Sequence, residues 1–410
     1  MKAATLKILL AWVAVLLVCY GLLEVFFLYY VASIFPLASL GGAGSGSYLL
    51  VQYSKNHVFP KNYIAIFGDS YSYGQGDWML EHAHDIKPTY SPSQLLYKEL
   101  GRDVISFGLP ASDNIRSNNV LPSTWLAYAR AANTEKIEDP SEIIVYFYEG
   151  NDLNDNVEVY QKKISPGLSP DENFYDSSVA QRKIKQLIES DTTYQDYKKT
   201  SFFDRCFFAI FSKALAVNFF QEEILGQKQA PWKPTQPGKI GKIEIGHREE
   251  FLPNKMQTPA LALDKQEIDL GLYMFKQSVV YLKAQFPKAK VGIAYIPSVS
   301  TPYAYTSEYI HDYYNDTQSV NGHIQPVSKI RPNSDYICNR VRDVAIELQT
   351  GFVDPRAHLR SVARNNYIHG PIDWHHFNQL GYETFTEDLL VLLKQMEMEK
   401  YQPLPKCSWQ

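Results

Sequence analysis

The stretch Tyr63-Ile64-Ala65-Ile66-Phe67-Gly68-Asp69-Ser70 decides the fold class. An unbroken apolar run that stops at small and polar residues reads as a short strand buried on both faces, which is the pattern of a parallel sheet. Ligands of such sheets gather beyond the carboxyl ends of the strands, so Ser70 stands where chemistry is placed. Taken alone, Gly-Asp-Ser reads equally well as a helix cap, because Asp and Ser accept backbone N–H groups at helix starts.

Three further stretches repeat the design. Val104-Ile105-Ser106-Phe107-Gly108-Leu109-Pro110 is a strand running into glycine and proline, where Gly108 can bring a bare N–H close to a substrate oxygen. Glu142-Ile143-Ile144-Val145-Tyr146-Phe147-Tyr148 is strongly β-prone and is followed by Glu149-Gly150-Asn151-Asp152. There Asn151 can donate its amide to a developing oxyanion, Asp152 can cap a helix, and Glu149 reads as a strand-end carboxylate. Near the C-terminus, Asp373 precedes His376 by one turn of backbone, a spacing that lets a carboxylate orient an imidazole. His375 is the rival base; the spacing to Asp373 and the following Asn378 and Gly381 favour His376.

Between these stretches the chain alternates strand and helix. Helical patterns cover residues 92–100, 124–132, 265–285, 335–348 and 383–398; further strands lie at 291–297 and 351–354. Residues 155–260 break the rhythm, with turn-rich stretches, aromatics from Phe202 to Phe220 and the segment Pro231-Trp232-Lys233-Pro234. They read as an insertion beside the site, either a lid or glycan-binding cap with flat aromatic faces, or a subdomain burying its own rings.

The N-terminus is of a different kind. From Ile8 to Phe35 it is almost continuously apolar, interrupted chiefly by Glu24. At helical rise such a run reaches roughly 42 Å against a hydrocarbon core of ~30 Å, and it exceeds the ~7–15 residues of a cleavable signal core. It is therefore expected to be an uncleaved anchor. Lys2 and Lys7 before it place the N-terminus in the cytoplasm and the rest outside, in the periplasm or at the cell exterior. Glu24 reads as an interfacial residue or as a contact with a membrane partner. Gly41-Gly42-Ala43-Gly44-Ser45-Gly46-Ser47 reads as a flexible spacer. The expected organisation is an anchor over 1–40, a linker and lead-in over 41–61, a catalytic domain over 62–398 and a tail over 399–410.

A net charge of −4 provides no basic field, which argues against nucleic acid as a partner. Cys19, Cys206, Cys338 and Cys407 form no C-x-x-C pair, so neither a zinc site nor a thioredoxin-like motif is written. One disulfide among the last three is open to a protein outside the cytoplasm.

The ordered set Gly68-Asp69-Ser70, Gly108, Gly150-Asn151-Asp152 and Asp373-x-x-His376 resembles the SGNH (GDSL-like) hydrolase superfamily, over about residues 62–395. The resemblance implies a flavodoxin-like three-layer α/β/α fold with a central parallel sheet. It also implies Ser70 as nucleophile, His376 as base, Asp373 as its partner, and an oxyanion hole from the N–H groups of Ser70 and Gly108 and the Asn151 side chain. Two departures from the family pattern stand out: glycine sits directly before Asn151, and Ser106 and Ala111 replace an asparagine and a glycine around Gly108. The implied reaction is ester hydrolysis or acyl transfer without metal or organic cofactor. Its substrate would be an ester, most naturally on a glycan, and similar tethered proteins act beside a membrane-bound O-acyltransferase. The rival readings are a non-catalytic glycan-binding protein on the same scaffold and a lipase working on membrane lipid.

Overall fold

The computed structural model describes residues 3–31, 49, 52–82, 90–132, 137–165, 172–191, 206, 208–209, 212, 216, 233–313, 324–398 and 404–408. At its centre is a parallel sheet of β1 (Ile64–Phe67), β2 (Val104–Ser106), β3 (Glu142–Tyr148), β4 (Lys290–Ile296) and β5 (Gly351–Val353). The spatial order is β5-β4-β3-β1-β2, so the chain reverses its direction of winding between β1 and β3. Sheets of this kind hold their ligands at that reversal.

Among the described residues the helices include α1 (Ala3–Phe26), α2 (Ser70–Tyr73), α3 (Pro92–Leu100), α4 (Leu121–Ala132), α5 (Asp152–Val159), α6 (Ser177–Ser190), α7 (Lys265–Gln285), α8 (Ile330–Glu347), α9 (Arg356–Ala363) and α10 (Gln379–Glu397), with a short turn of helix at Asp77–Glu81. Strand alternation sorts them into two layers. Ala65, Phe67, Ile143, Val145, Phe147, Ile293 and Tyr295 belong to one core with side chains of α4, α7 and α8. Ile64, Ile66, Ile144, Tyr146, Ala294 and Ile296 belong to the other, with α3, α9 and α10. Cover on both faces is why the strands read as continuous apolar runs. The helices expected at 124–132, 335–348 and 383–398 all begin earlier than their periodicity suggests. For α10 the reason is local: Asn378 accepts the Gly381 N–H at 3.0 Å and caps a first turn that reads as loop.

Two boundaries shift. Ser54 and Gln52 pair with β2 through Val104 N–H to Ser54 O at 2.8 Å and Ser106 N–H to Gln52 Oε1 at 2.8 Å, so the domain begins before residue 62. At the other end Cys338 and Cys407 form a disulfide, and Arg342 donates to Leu404 O at 2.7 Å, so residues 404–408 are pinned to α8 instead of trailing.

The described parts of the 155–260 stretch join different neighbours. Its α6 packs with Leu270 and Met274 of α7 in a third cluster, while Lys242–Ile245 and Arg248–Phe251 form a hairpin extended by Ala304–Tyr305. Most of the 202–220 aromatic run, Pro231, Trp232 and the 41–48 stretch lie outside the described residues. Among the described residues one helix, Thr5–Val31, is long and apolar enough to cross a membrane; a signal sequence passes the same test.

Candidate active site

Ser70, Gly108 and Asn151 each emerge just beyond the carboxyl end of a strand. Ser70 follows β1 as the first residue of α2, where Asp69 caps the turn by accepting the Tyr71 N–H at 3.1 Å. The first N–H groups of a helix have no carbonyl partner within it, so the Ser70 N–H is placed to meet an incoming oxygen. The loop carrying Asp373 and His376 comes from the far end of the sequence and docks on this turn. Tyr71 donates to His375 O at 2.9 Å, and Tyr382 of α10 donates to Gln75 O at 2.6 Å. Asp77 accepts the N–H groups of Ile372 at 2.9 Å and Asp373 at 2.5 Å. Gly76 makes this docking sterically feasible: at φ 154° a Cβ there would lie 2.1 Å from Phe377 O.

Docking brings three of the expected residues into one relay. His376 Nε2 lies 2.8 Å from Ser70 Oγ, and His376 Nδ1 lies 2.6 Å from Asp373 Oδ2. Ser70 is buried, whereas the His376 side chain keeps 14% of its surface exposed, enough for the dyad to meet solvent. Burial alone would raise the Asp373 carboxyl. The hydrogen bond and charge of His376, with the His375 N–H, outweigh it and hold the group below the ordinary carboxylate range. An ionised Asp373 must accept from Nδ1–H, which leaves the Nε2 lone pair facing the Ser70 hydroxyl. His375 takes another direction: its ring meets Tyr313 edge-on at 5.1 Å, and burial lowers its pKa.

The expected oxyanion donors are less uniform. Asn151 precedes α5 without spending its side chain on a cap, and its amide reaches the Asp69 carboxyl. Gly108 lies against α2, where a Cβ would fall 2.1 Å from Tyr73 N. Its own N–H is given to Ser106 Oγ at 3.1 Å, and that hydroxyl donates in turn to Ser72 O at 2.6 Å. The serine that stands where the family pattern has asparagine thus engages one of the three donors. Ala111, in place of the pattern's glycine, has φ 54°, the left-handed region in which glycine is at ease and alanine is strained.

No family model matches the chain, and no curated protein matches it.

Two acids have roles that the sequence did not reveal: the first was not singled out there, and the second reads there only as a strand-end carboxylate. Asp77 is the first. The other is Glu149, fully buried, which accepts from Ser298 N–H at 2.8 Å and Ser334 Oγ at 2.8 Å as well as from the hydroxyls of Tyr295 and Thr301. Buried Arg356 reaches the same hub through Ser334 at 2.9 Å while gripping Asp354. A charged side chain buried this deeply needs such a full set of partners. Burial also raises Asp69 and Asp152 above the ordinary range, and Asp155 to about 8. Among the described residues one group has metal-ligand proximity, Cys338, Asp354 and Cys407; its sulfurs are joined in the disulfide and Asp354 is held by Arg356.

Proposed function

We propose that this chain is a serine-dependent ester hydrolase or acyltransferase of the SGNH type, working outside the cytoplasm on an ester carried by a carbohydrate. The observation that carries the reading is the relay from Asp373 through His376 to Ser70, with contacts of 2.6 and 2.8 Å. A serine hydroxyl is a poor nucleophile until a base takes its proton, and an imidazole fixed by a carboxylate does this. Ser70 Oγ attacks the ester carbonyl while its proton passes to His376 Nε2. The oxyanion that forms is met by the Ser70 N–H and the Asn151 amide, and by Gly108 once Ser106 turns away. The imidazolium then protonates the departing alcohol, leaving an acyl-Ser70 ester. Water or a sugar hydroxyl, deprotonated by His376, resolves it. Which of the two arrives separates an esterase from a transferase.

Orientation follows from Lys2 and Lys7 ahead of the apolar helix, with the domain outside. The Cys338–Cys407 disulfide suits an oxidising compartment. A membrane-bound O-acyltransferase supplying acyl groups across the bilayer is the partner that this arrangement fits.

The test is to incubate the full chain in detergent with p-nitrophenyl acetate, alone and with bare or acetylated oligosaccharides, beside Ser70→Ala. Release that depends on Ser70, with acetyl passing to added sugar, supports transfer; release without passage supports hydrolysis. A Ser70→Ala chain that keeps full glycan binding and a parent that releases nothing would favour the binding-protein reading.

A further inference from the structure

One side of the apolar helix packs against the domain. Of the residues Thr5–Val31, those partly covered are Tyr20, Glu24, Phe27, Leu28 and Val31, while the rest are exposed. Their spacing places them on one stripe of the helix. Phe27, Leu28 and Val31 pack against the domain's own core cluster. Higher on the stripe, Phe208 of the 155–260 stretch sets its ring edge-on to Tyr20 at 6.0 Å and to Phe27 at 5.0 Å. Its N–H donates to Glu24 Oε1 at 3.2 Å. The buried Cys206 thiol meets both Tyr20 and Glu24.

We propose that this helix is retained in the mature protein and clasped by the chain's own Cys206 and Phe208, which seats the domain on the outer face of the bilayer. The depth follows from helical rise. If the hydrocarbon begins just after Lys7, ~30 Å of it ends near Phe27, so Glu24 lies about 5 Å inside the outer edge. A carboxylate at that depth and a backbone N–H at that depth are each costly without a partner. Glu24 and Phe208 satisfy one another, so the acidic residue in the anchor is accounted for within the chain, without a second membrane protein. A helix with one stripe packed against the mature domain is also poorly suited to removal as a signal.

The proposal is independent of the catalytic reading, and its test measures no activity. A protease site is placed within 41–47 of the full chain, in a Cys19→Ser background, and the chain is cut in its native membranes. The domain should stay in the washed membrane pellet. In a Glu24→Cys chain, mild oxidation should rejoin the two fragments through Cys206, whereas Trp12→Cys, on the exposed part of the helix, should not. A mature N-terminus beyond residue 31, release of the cut domain into the supernatant, or rejoining no greater than in Trp12→Cys would each overturn the proposal.

Discussion

Replacing Asp77 by Asn tests whether the site is assembled in the way the contacts indicate. In the parent, one carboxylate receives two backbone N–H groups, from Ile372 and Asp373. Asn offers one acceptor oxygen and turns an NH2 group towards the other N–H, so one bond becomes a repulsion. A hydrogen bond to a charged group contributes about 1.5–3 kcal/mol. If that loss is felt in full where Asp373 orients His376, the rate falls about 10–150-fold. The loss should appear in kcat with KM for p-nitrophenyl acetate little changed, because Asp77 is placed to hold the loop and not the substrate. Gly76→Ala should act in the same direction, since its Cβ needs the space of Phe377 O. The assay is steady-state ester hydrolysis by the full chain in detergent, with thermal unfolding recorded alongside. An Asp77→Asn enzyme within twofold of the parent in kcat would refute the reasoning.

Asn151→Ala should lower kcat by roughly 10²–10³-fold in the same assay, the usual cost of one oxyanion donor. Ala111→Gly should stabilise the fold by up to about 1 kcal/mol in chemical denaturation, because φ 54° suits glycine. Asp155 yields a pH prediction. Burial, then the charges of Asp69, Asp113 and Glu158, raise it to about 8, so the folded state keeps a proton that the unfolded chain releases near ~3.9. Stability from this group therefore falls as pH rises between those values. Asp155→Asn should raise Tm above pH 8 and leave it unchanged near pH 4.

How much of this was legible in the sequence depends on reach. β1, β3 and α7 are short-range patterns, and Tyr63 to Ser70 or Lys265 to Gln285 can be read within one window. Ser70, His376 and Asp373 were legible as motif residues, though nothing in either window says that they meet. Asp77, which helps them meet, was missed, and Glu149 was read only as a strand-end carboxylate. Asp77 binds a loop 295 and 296 residues away, and Glu149 gathers donors 146 to 185 residues away. A buried carboxylate looks in sequence like any surface acid; only its partners distinguish it. Ala111 was noticed as a departure, but its cost became visible only as a dihedral angle. The glycine-serine spacer lies outside the described residues, and the packing of Phe27, Leu28 and Val31 on the domain core is not written in the apolar pattern of the helix.

The most direct measurement is labelling of the full chain with a fluorophosphonate, which reacts only with a serine activated by a base, followed by mass mapping of the modified peptide. A single adduct on Ser70, absent from Ser70→Ala and strongly reduced in His376→Ala, is the expected result. An unmodified Ser70, or labelling that persists unchanged in Ser70→Ala, would contradict serine-dependent acyl chemistry at this site.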